Sequence, residues 1–329
     1  MISRLLVLRP GGMGDLLLTL PALDLLCKAH ANAEIQLVAH PSYVVLASRA
    51  GFISTVRSYD DAFFTPLFSD CVALPSDLAD YLSRFDAALC YIDDPRDTVG
   101  CGLSSAGVEK AVFFDPAPPP GGHISQHLAD ALQPLGVVGE IRCVRLTPTP
   151  PSLSRASLFL EESFGDPQMP FVAVHPGAGS GAKKWPAERF ADVARALVRE
   201  RGLAAIFITG PAEADAPREF KGLASDIPAA VVTNPGVDTL AALISLASVY
   251  LGNDSGPTHL AAALGVPVIA LFGPTDPSVW RPLGNNVRVL QSPSDCSPCD
   301  RQTRTQCGRN ICMEEIALDS VLAVARSCL

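Results

Sequence analysis

Asn253, Asp254, Ser255 and His259 crowd an amide, a carboxylate, a hydroxyl and an imidazole into seven residues. Apolar runs flank them, Ser248–Leu251 before and Pro267–Phe272 after, and both read as buried strands. A loop that only turned the chain would not need these groups. Delivered at the carboxyl end of a strand, they could touch a ligand. The alternative is helix capping with a satisfied core histidine. That reading is preferred for one such residue, but not for Asp254, Ser255, Gly256 and His259 together. Gly256 lets a ligand approach the backbone. Pro257 suits a first helical turn, where its missing N–H costs nothing.

Two more loops carry the same signature. HPGAGSGAKKWP, His175–Pro186, follows a strand and precedes a helix. Its backbone N–H groups and the helix dipole suit a diphosphate, and Lys183 adds a full charge. The alternative is a polar turn with two solvated lysines. It is not a P-loop, because Ala182 stands where that motif needs glycine. RPGGMGD, Arg9–Asp15, places Gly11, Gly12 and Gly14 before a helix that Asp15 opens. Asp15 is an N-cap, a general base, or both. A dinucleotide fingerprint fails here, because Leu17 takes the third glycine position and Glu34 begins the second strand instead of ending it. Glu213, at another strand-to-helix junction, could accept hydrogen bonds from a ribose or simply favour the helix dipole. FGPTDP, Phe272–Pro277, is a minor candidate.

The elements that must position these loops alternate strand and helix. Strands are expected at Leu5–Leu8, Glu34–His40, Asp86–Ile92 and Lys110–Phe114, with a helix over Leu16–His30. TPTPPSLS, Thr147–Ser154, reads as a linker, with a short helix after it. The pattern then restarts. Strands are expected at Phe171–His175, Ala204–Gly210, Ala230–Thr233, Ser248–Leu251 and Pro267–Phe272. Helices are expected over Ala187–Arg201, Thr239–Leu246, Pro257–Leu264 and Met313–Cys328. This is an α/β chain of two doubly wound, Rossmann-like domains, 1–150 and 151–329, facing a central cleft.

Composition narrows the function. The chain has 329 residues and a net charge of −9, which argues against broad nucleic-acid binding. Mean hydropathy is +0.26, yet the longest apolar stretches, Leu240–Leu251 and Leu260–Phe272, fall short of the ~18 residues of a membrane span. The opening residues make a poor signal peptide, so a cytoplasmic location is expected.

The three loops together resemble glycosyltransferase family 9, the ADP-heptose:lipopolysaccharide heptosyltransferases. RPGGMGDLLLTLPAL is similar to the family's R-x-x-x-x-GD-x-x-x-T-x-P opening, and HPGAGSGAKKWPAERF to its HPG…K-x-WP-x-x-x-F. GNDSGPTHLAAALGVPVIALFG is similar to its NDSG-x-x-H-x-A-x-A-x-x-x-P-x-x-x-x-FG. The likeness covers both domains except 47–144. It implies a GT-B fold, with acceptor on the N-terminal domain and nucleotide sugar on the C-terminal one, and an inverting transfer with no catalytic metal. It further implies Asp15 as base, Lys183 on the diphosphate and Glu213 near the nucleoside. Asp254, Ser255, Gly256 and His259 would hold sugar and phosphates. Where the family carries Thr or Ser before the lysine, this chain offers only Ser180. The implied partners are ADP-heptose and a lipid-linked glycan at the inner membrane surface, where the enzyme would sit peripherally. A protein acceptor or another nucleotide sugar is the nearby alternative. A noncatalytic nucleotide-binding module is the distant one, and it would have no need of Asp15.

Cys296, Cys299, Cys307 and Cys312 follow C-x2-C-x7-C-x4-C, a spacing compatible with a four-thiolate site for structural zinc or iron. The cluster looks like one that recurs in the family, where related protein O-heptosyltransferases carry iron. The alternative is reduced thiols in an irregular loop.

Overall fold

Eleven parallel strands form two sheets in the computed structural model, which describes residues 2–69, 73–118, 121–210 and 216–329. The chain divides into two units, Met1–Val144 and Arg145–Leu329.

The first unit holds β1 (Arg4–Arg9), β2 (Glu34–Ala39), β3 (Thr55–Ser58), β4 (Ala87–Cys90) and β5 (Lys110–Phe113), in the order β3-β2-β1-β4-β5. β1 is central, so Leu8 lies opposite both Val38 and Cys90. Its run of Leu5, Leu6, Val7 and Leu8 is buried on both faces, as a central parallel strand must be. The helix Met13–Ala29 carries leucines almost all round and is covered accordingly, packing against the helix Ile124–Asp130.

The second unit holds β6 (Phe171–His175), β7 (Ala204–Thr209), β8 (Ala229–Thr233), β9 (Val249–Asn253), β10 (Val268–Phe272) and β11 (Val287–Gln291). The order is β11-β10-β9-β6-β7-β8. Every residue of β6, β7, β9 and β10 is buried. Val172, Val174, Phe190, Phe207 and Leu251 build the core beneath the helix Ala187–Arg201, whose apolar face repeats at helical spacing.

In both sheets the chain leaves the first strand in one direction and later returns to its other side. The strand order therefore reverses between β1 and β4, and again between β6 and β9. Ligands of open α/β sheets sit outside the carboxyl ends of strands at such reversals.

Two expectations are corrected. The stretch Thr147–Ser154 is not all linker, because a helix runs over Pro150–Phe164. Thr149 caps it by accepting from the Ser152 N–H, and Pro150 takes the first-turn place that suits proline. The single C-terminal helix is two, Ile311–Glu314 and Leu318–Ser327, interrupted at Glu315–Ala317. Among the described residues no helix is long and apolar enough to cross a membrane.

Candidate active site

The reversal of the second sheet lies where β6 and β9 end. β6 delivers His175 and the loop to Lys183, and β9 delivers Asn253 and Asp254. Asn253 is fully buried and joins the two: its Nδ2 donates to Pro176 O at 2.8 Å, and its Oδ1 accepts from the Trp185 N–H at 3.2 Å. The loop of small residues between Pro176 and Trp185 is thereby pinned at both ends.

Asp254 is the hub. Its Oδ2 accepts from Lys183 Nζ at 2.6 Å and from Thr275 Oγ1 at 2.7 Å, and its Oδ1 lies 3.8 Å from His259 Nε2. That last separation is electrostatic proximity, too long for a hydrogen bond. Burial alone would raise the Asp254 pKa. The His259 ring and the Lys183 ammonium outweigh it and hold the carboxyl well below the usual range. Asp254 therefore stays ionised and positions three side chains.

Ser255 is the N-cap of the helix Gly256–Leu264, in extended backbone, but makes no side-chain cap bond. Its Oγ lies 3.1 Å from Thr258 Oγ1, which also bonds the Asn253 carbonyl. Ser180 spends its Oγ on the Ala182 N–H at 3.3 Å, shaping the short turn Gly181–Lys183. Asn310, 129 residues away in sequence, donates to Gly181 O at 2.7 Å. Trp185 Nε1 reaches Ile316 O at 3.0 Å. The chain's C-terminal segment thus braces the loop that carries Lys183 from outside.

Asp15 stands at the reversal of the first sheet, where β1 ends. Its Oδ2 accepts from the Gly12 N–H at 2.7 Å, so Asp15 is not the N-cap: Gly12 holds that place, and Asp15 bonds back to it from the third helical position. Gly11 has φ +124°, and a Cβ there would come within 2.8 Å of Asp15 Oδ2, so both backbone and space require glycine. Gly14 lies in the helix's first turn. Oδ1 makes no hydrogen bond but is ion-paired with Arg9 Nη2 at 3.6 Å, and the Asp15 side chain is 43% exposed. Arg9 is buried and locked by Thr19 Oγ1 at 2.8 Å and Pro10 O at 2.9 Å, with Tyr91 under its guanidinium. Burial lowers its pKa, and the charge of Asp15 opposes that.

The family's sequence model, glycosyltransferase family 9 (heptosyltransferase), matches residues 148–308. Lipopolysaccharide heptosyltransferase 3 of Escherichia coli is 26% identical over 292 residues, which are 83% of this chain and 84% of that protein. Residues 148–308 are those of a glycosyltransferase of family 9. Among solved structures, a family 9 glycosyl transferase from Veillonella parvula superposes with a TM-score of 0.81 at 20% identity, over 99% of this chain and 97% of that one. The E. coli ADP-heptose lipopolysaccharide heptosyltransferase II gives 0.75 at 18%, over 99% and 98%. The fold of this glycosyltransferase is GT-B, two parallel α/β units.

Of the residues singled out from the sequence, Lys183, Asp254, Ser255, Gly256 and His259 share one sheet end with Ser180. Asp15 and its glycines occupy the other unit. Glu213 lies outside the described residues. Thr275, Asn310 and Arg9 are new participants. Thr275 had a signal in FGPTDP, a polar group following a buried strand, whereas Asn310 had none.

The four-thiolate expectation is corrected. Among the described residues no group of three His, Cys, Asp or Glu side chains could hold a metal ion. Cys299 Sγ turns to Cys296 O and Cys307 Sγ to Arg309 O, both at 2.9 Å. Cys312 is buried against Gly273. Burial first, and then the neighbouring thiols, raise the pKa of Cys299 and Cys312, so these sulfurs lie near the other thiols of the cluster.

Proposed function

We propose that this glycosyltransferase moves a heptosyl residue from ADP-heptose to a hydroxyl of the lipopolysaccharide core. The observation that carries the reading is the buried cluster of Lys183, Asp254 and Thr275 at the strand-order reversal of the second sheet. Relatives named as lipopolysaccharide heptosyltransferases support the sugar and the acceptor.

Departure of a nucleoside diphosphate gathers negative charge on the phosphate that leaves. Lys183, fixed by Asp254, supplies a cation that needs no reorganisation. The amino end of the helix Gly256–Leu264 adds its partial positive charge. Asp254 acts through Lys183 and Thr275 as a positioning residue, while Ser255, Gly256 and His259 border the sugar and phosphates. At the other unit, Asp15 Oδ1 takes the proton of the acceptor hydroxyl as it attacks, while Oδ2 stays on the Gly12 N–H. Attack on the face opposite the leaving group inverts the anomeric centre. No step is routed through a metal ion.

Calorimetric titration of the purified chain with ADP-heptose, ADP, UDP and NAD tests this. Binding of ADP-heptose and ADP in preference to UDP is the expected result. Preference for UDP would replace the sugar nucleotide, and binding of NAD alone would overturn the reading.

A further inference from the structure

The first unit contains a cavity of about 830 Å³ at the carboxyl ends of β1 to β4. Its volume suits one or two sugar rings. Tyr59, Phe68 and Ile92 give it apolar walls, and Asp60, Asp93 and Asp94 its charge. Asp94 is occupied, because its two oxygens accept from the Thr98 and Gly100 N–H groups, each at 3.0 Å. Asp60 and Asp93 are different. Both are exposed, and among the described residues neither carboxylate has a hydrogen-bond or ion-pair partner. Arg96, the one basic residue of the described lining, already has a partner. A second cavity of about 390 Å³ shares Asp93 and Asp94 and adds Asp97 and Asp115.

The unit as a whole has the same sign. Residues 1–144 hold sixteen Asp and Glu against nine Lys and Arg, which accounts for −7 of the chain's −9. Carboxylates accept hydrogen bonds from hydroxyls, and aromatic faces cover the apolar side of a sugar ring. Phosphate or carboxylate groups would meet like charge on two sides, with Arg96 the one cation of the described lining to offset it.

We propose that the sugar presenting the accepting hydroxyl is uncharged, held in this cavity by Asp60 and Asp93 through its hydroxyls, and that the cavity selects against phosphorylated or acidic sugars. The inference rests on the transferase reading above and narrows its acceptor.

The test uses the full chain with ADP present. Binding of three soluble sugars is read by saturation-transfer NMR: a methyl heptoside, the same heptoside carrying a phosphate, and a 3-deoxy-2-keto sugar acid. Initial rates of transfer from ADP-heptose to each are then measured. The neutral heptoside should bind and be glycosylated at least tenfold more efficiently than either anion. The Asp60→Lys, Asp93→Lys double variant should narrow or reverse that ratio while leaving the Kd for ADP-heptose unchanged. Asp93→Asn should raise KM for the heptoside with little change in kcat. Equal or better use of an anionic sugar by the wild type, or a ratio untouched by the double variant, overturns the inference. Titration of ADP-heptose on the same preparation separates the two levels. Failure there removes the transferase reading, and binding there with a preference for anions removes only this one.

Discussion

The two sheets present their carboxyl ends in opposite ways. In the second unit the polar groups face one another: Asn253, Asp254 and Thr275 are buried and hydrogen-bonded before any ligand arrives, with the His259 ring buried beside them. In the first unit they face outward. Asp15 keeps one oxygen free of hydrogen bonds, ion-paired only with Arg9, and among the described residues the Asp60 and Asp93 carboxylates have no partner. The contrast suits two kinds of ligand. A diphosphate is a constant feature of a donor and rewards a rigid, preorganised site. An accepting hydroxyl must be engaged and then released as product, so its partners remain available.

The sharpest way to break the comparison is to remove the Asp15 oxygen that is free of hydrogen bonds. Asp15→Asn keeps the volume and a group for the Gly12 N–H, yet should lower kcat by about a hundred- to ten-thousand-fold, the range for a lost general base. Donor affinity measured calorimetrically should hold. A variant that turned over normally would make Asp15 a partner of the Gly12 N–H and nothing more.

On the closed side the effect falls on stability and donor binding together. Asp254→Ala strands the Lys183 charge and the Thr275 hydroxyl, and should cost about 3–5 kcal/mol in denaturant unfolding, as does the breaking of buried ion pairs generally. Weaker ADP binding should accompany it. The same pair fixes a pH dependence. Because the folded-state pKa of Asp254 lies below its unfolded value, an unfolded chain takes up the proton first as pH falls. The contribution is therefore complete at neutral pH and down to about pH 5, and is lost as pH falls through the folded value. Unfolding free energies of wild type and Asp254→Asn should differ by a constant amount between about pH 6 and 8 and converge only below about pH 4.

The smallest expected effect is that of Thr275→Val. It deletes one hydrogen bond to a charged group while keeping shape, so about 1.5–3 kcal/mol of stability should go, with Lys183 still in place. Donor affinity should fall less than in Asp254→Ala. An equal fall would show that Thr275, not Asp254, governs the lysine.

Legibility in the sequence tracks burial. Phe171–His175 and Ala187–Arg201 are read with their true bounds, because a continuous apolar run and a strong amphipathic repeat each admit one structure. The edge strands Thr55–Ser58 and Val287–Gln291 escape, since half-exposed residues leave no such run. The short helices Ser76–Leu82 and Thr98–Ser105 escape as well, each being about two turns with few buried positions. At the site, residues adjacent in sequence reveal themselves as motifs. The bonds from Thr275 to Asp254 and from Asn310 to Gly181 are products of the fold, and nothing local in either residue announces its partner. The cysteine spacing shows the converse: it fits a ligand set on paper, yet the backbone carries the thiols to carbonyls instead.

Under the proposed function, the ion pair between Lys183 and Asp254 also bears on product release. A departing nucleoside diphosphate carries one more negative charge than the diester it came from, and a bare ammonium would grip the product harder than the substrate. With Asp254 holding a share of that ammonium at 2.6 Å, the added charge meets a field already partly neutralised. The arrangement that steadies the leaving group therefore also loosens its grip once it has left, and so favours clearance of the site for the next cycle.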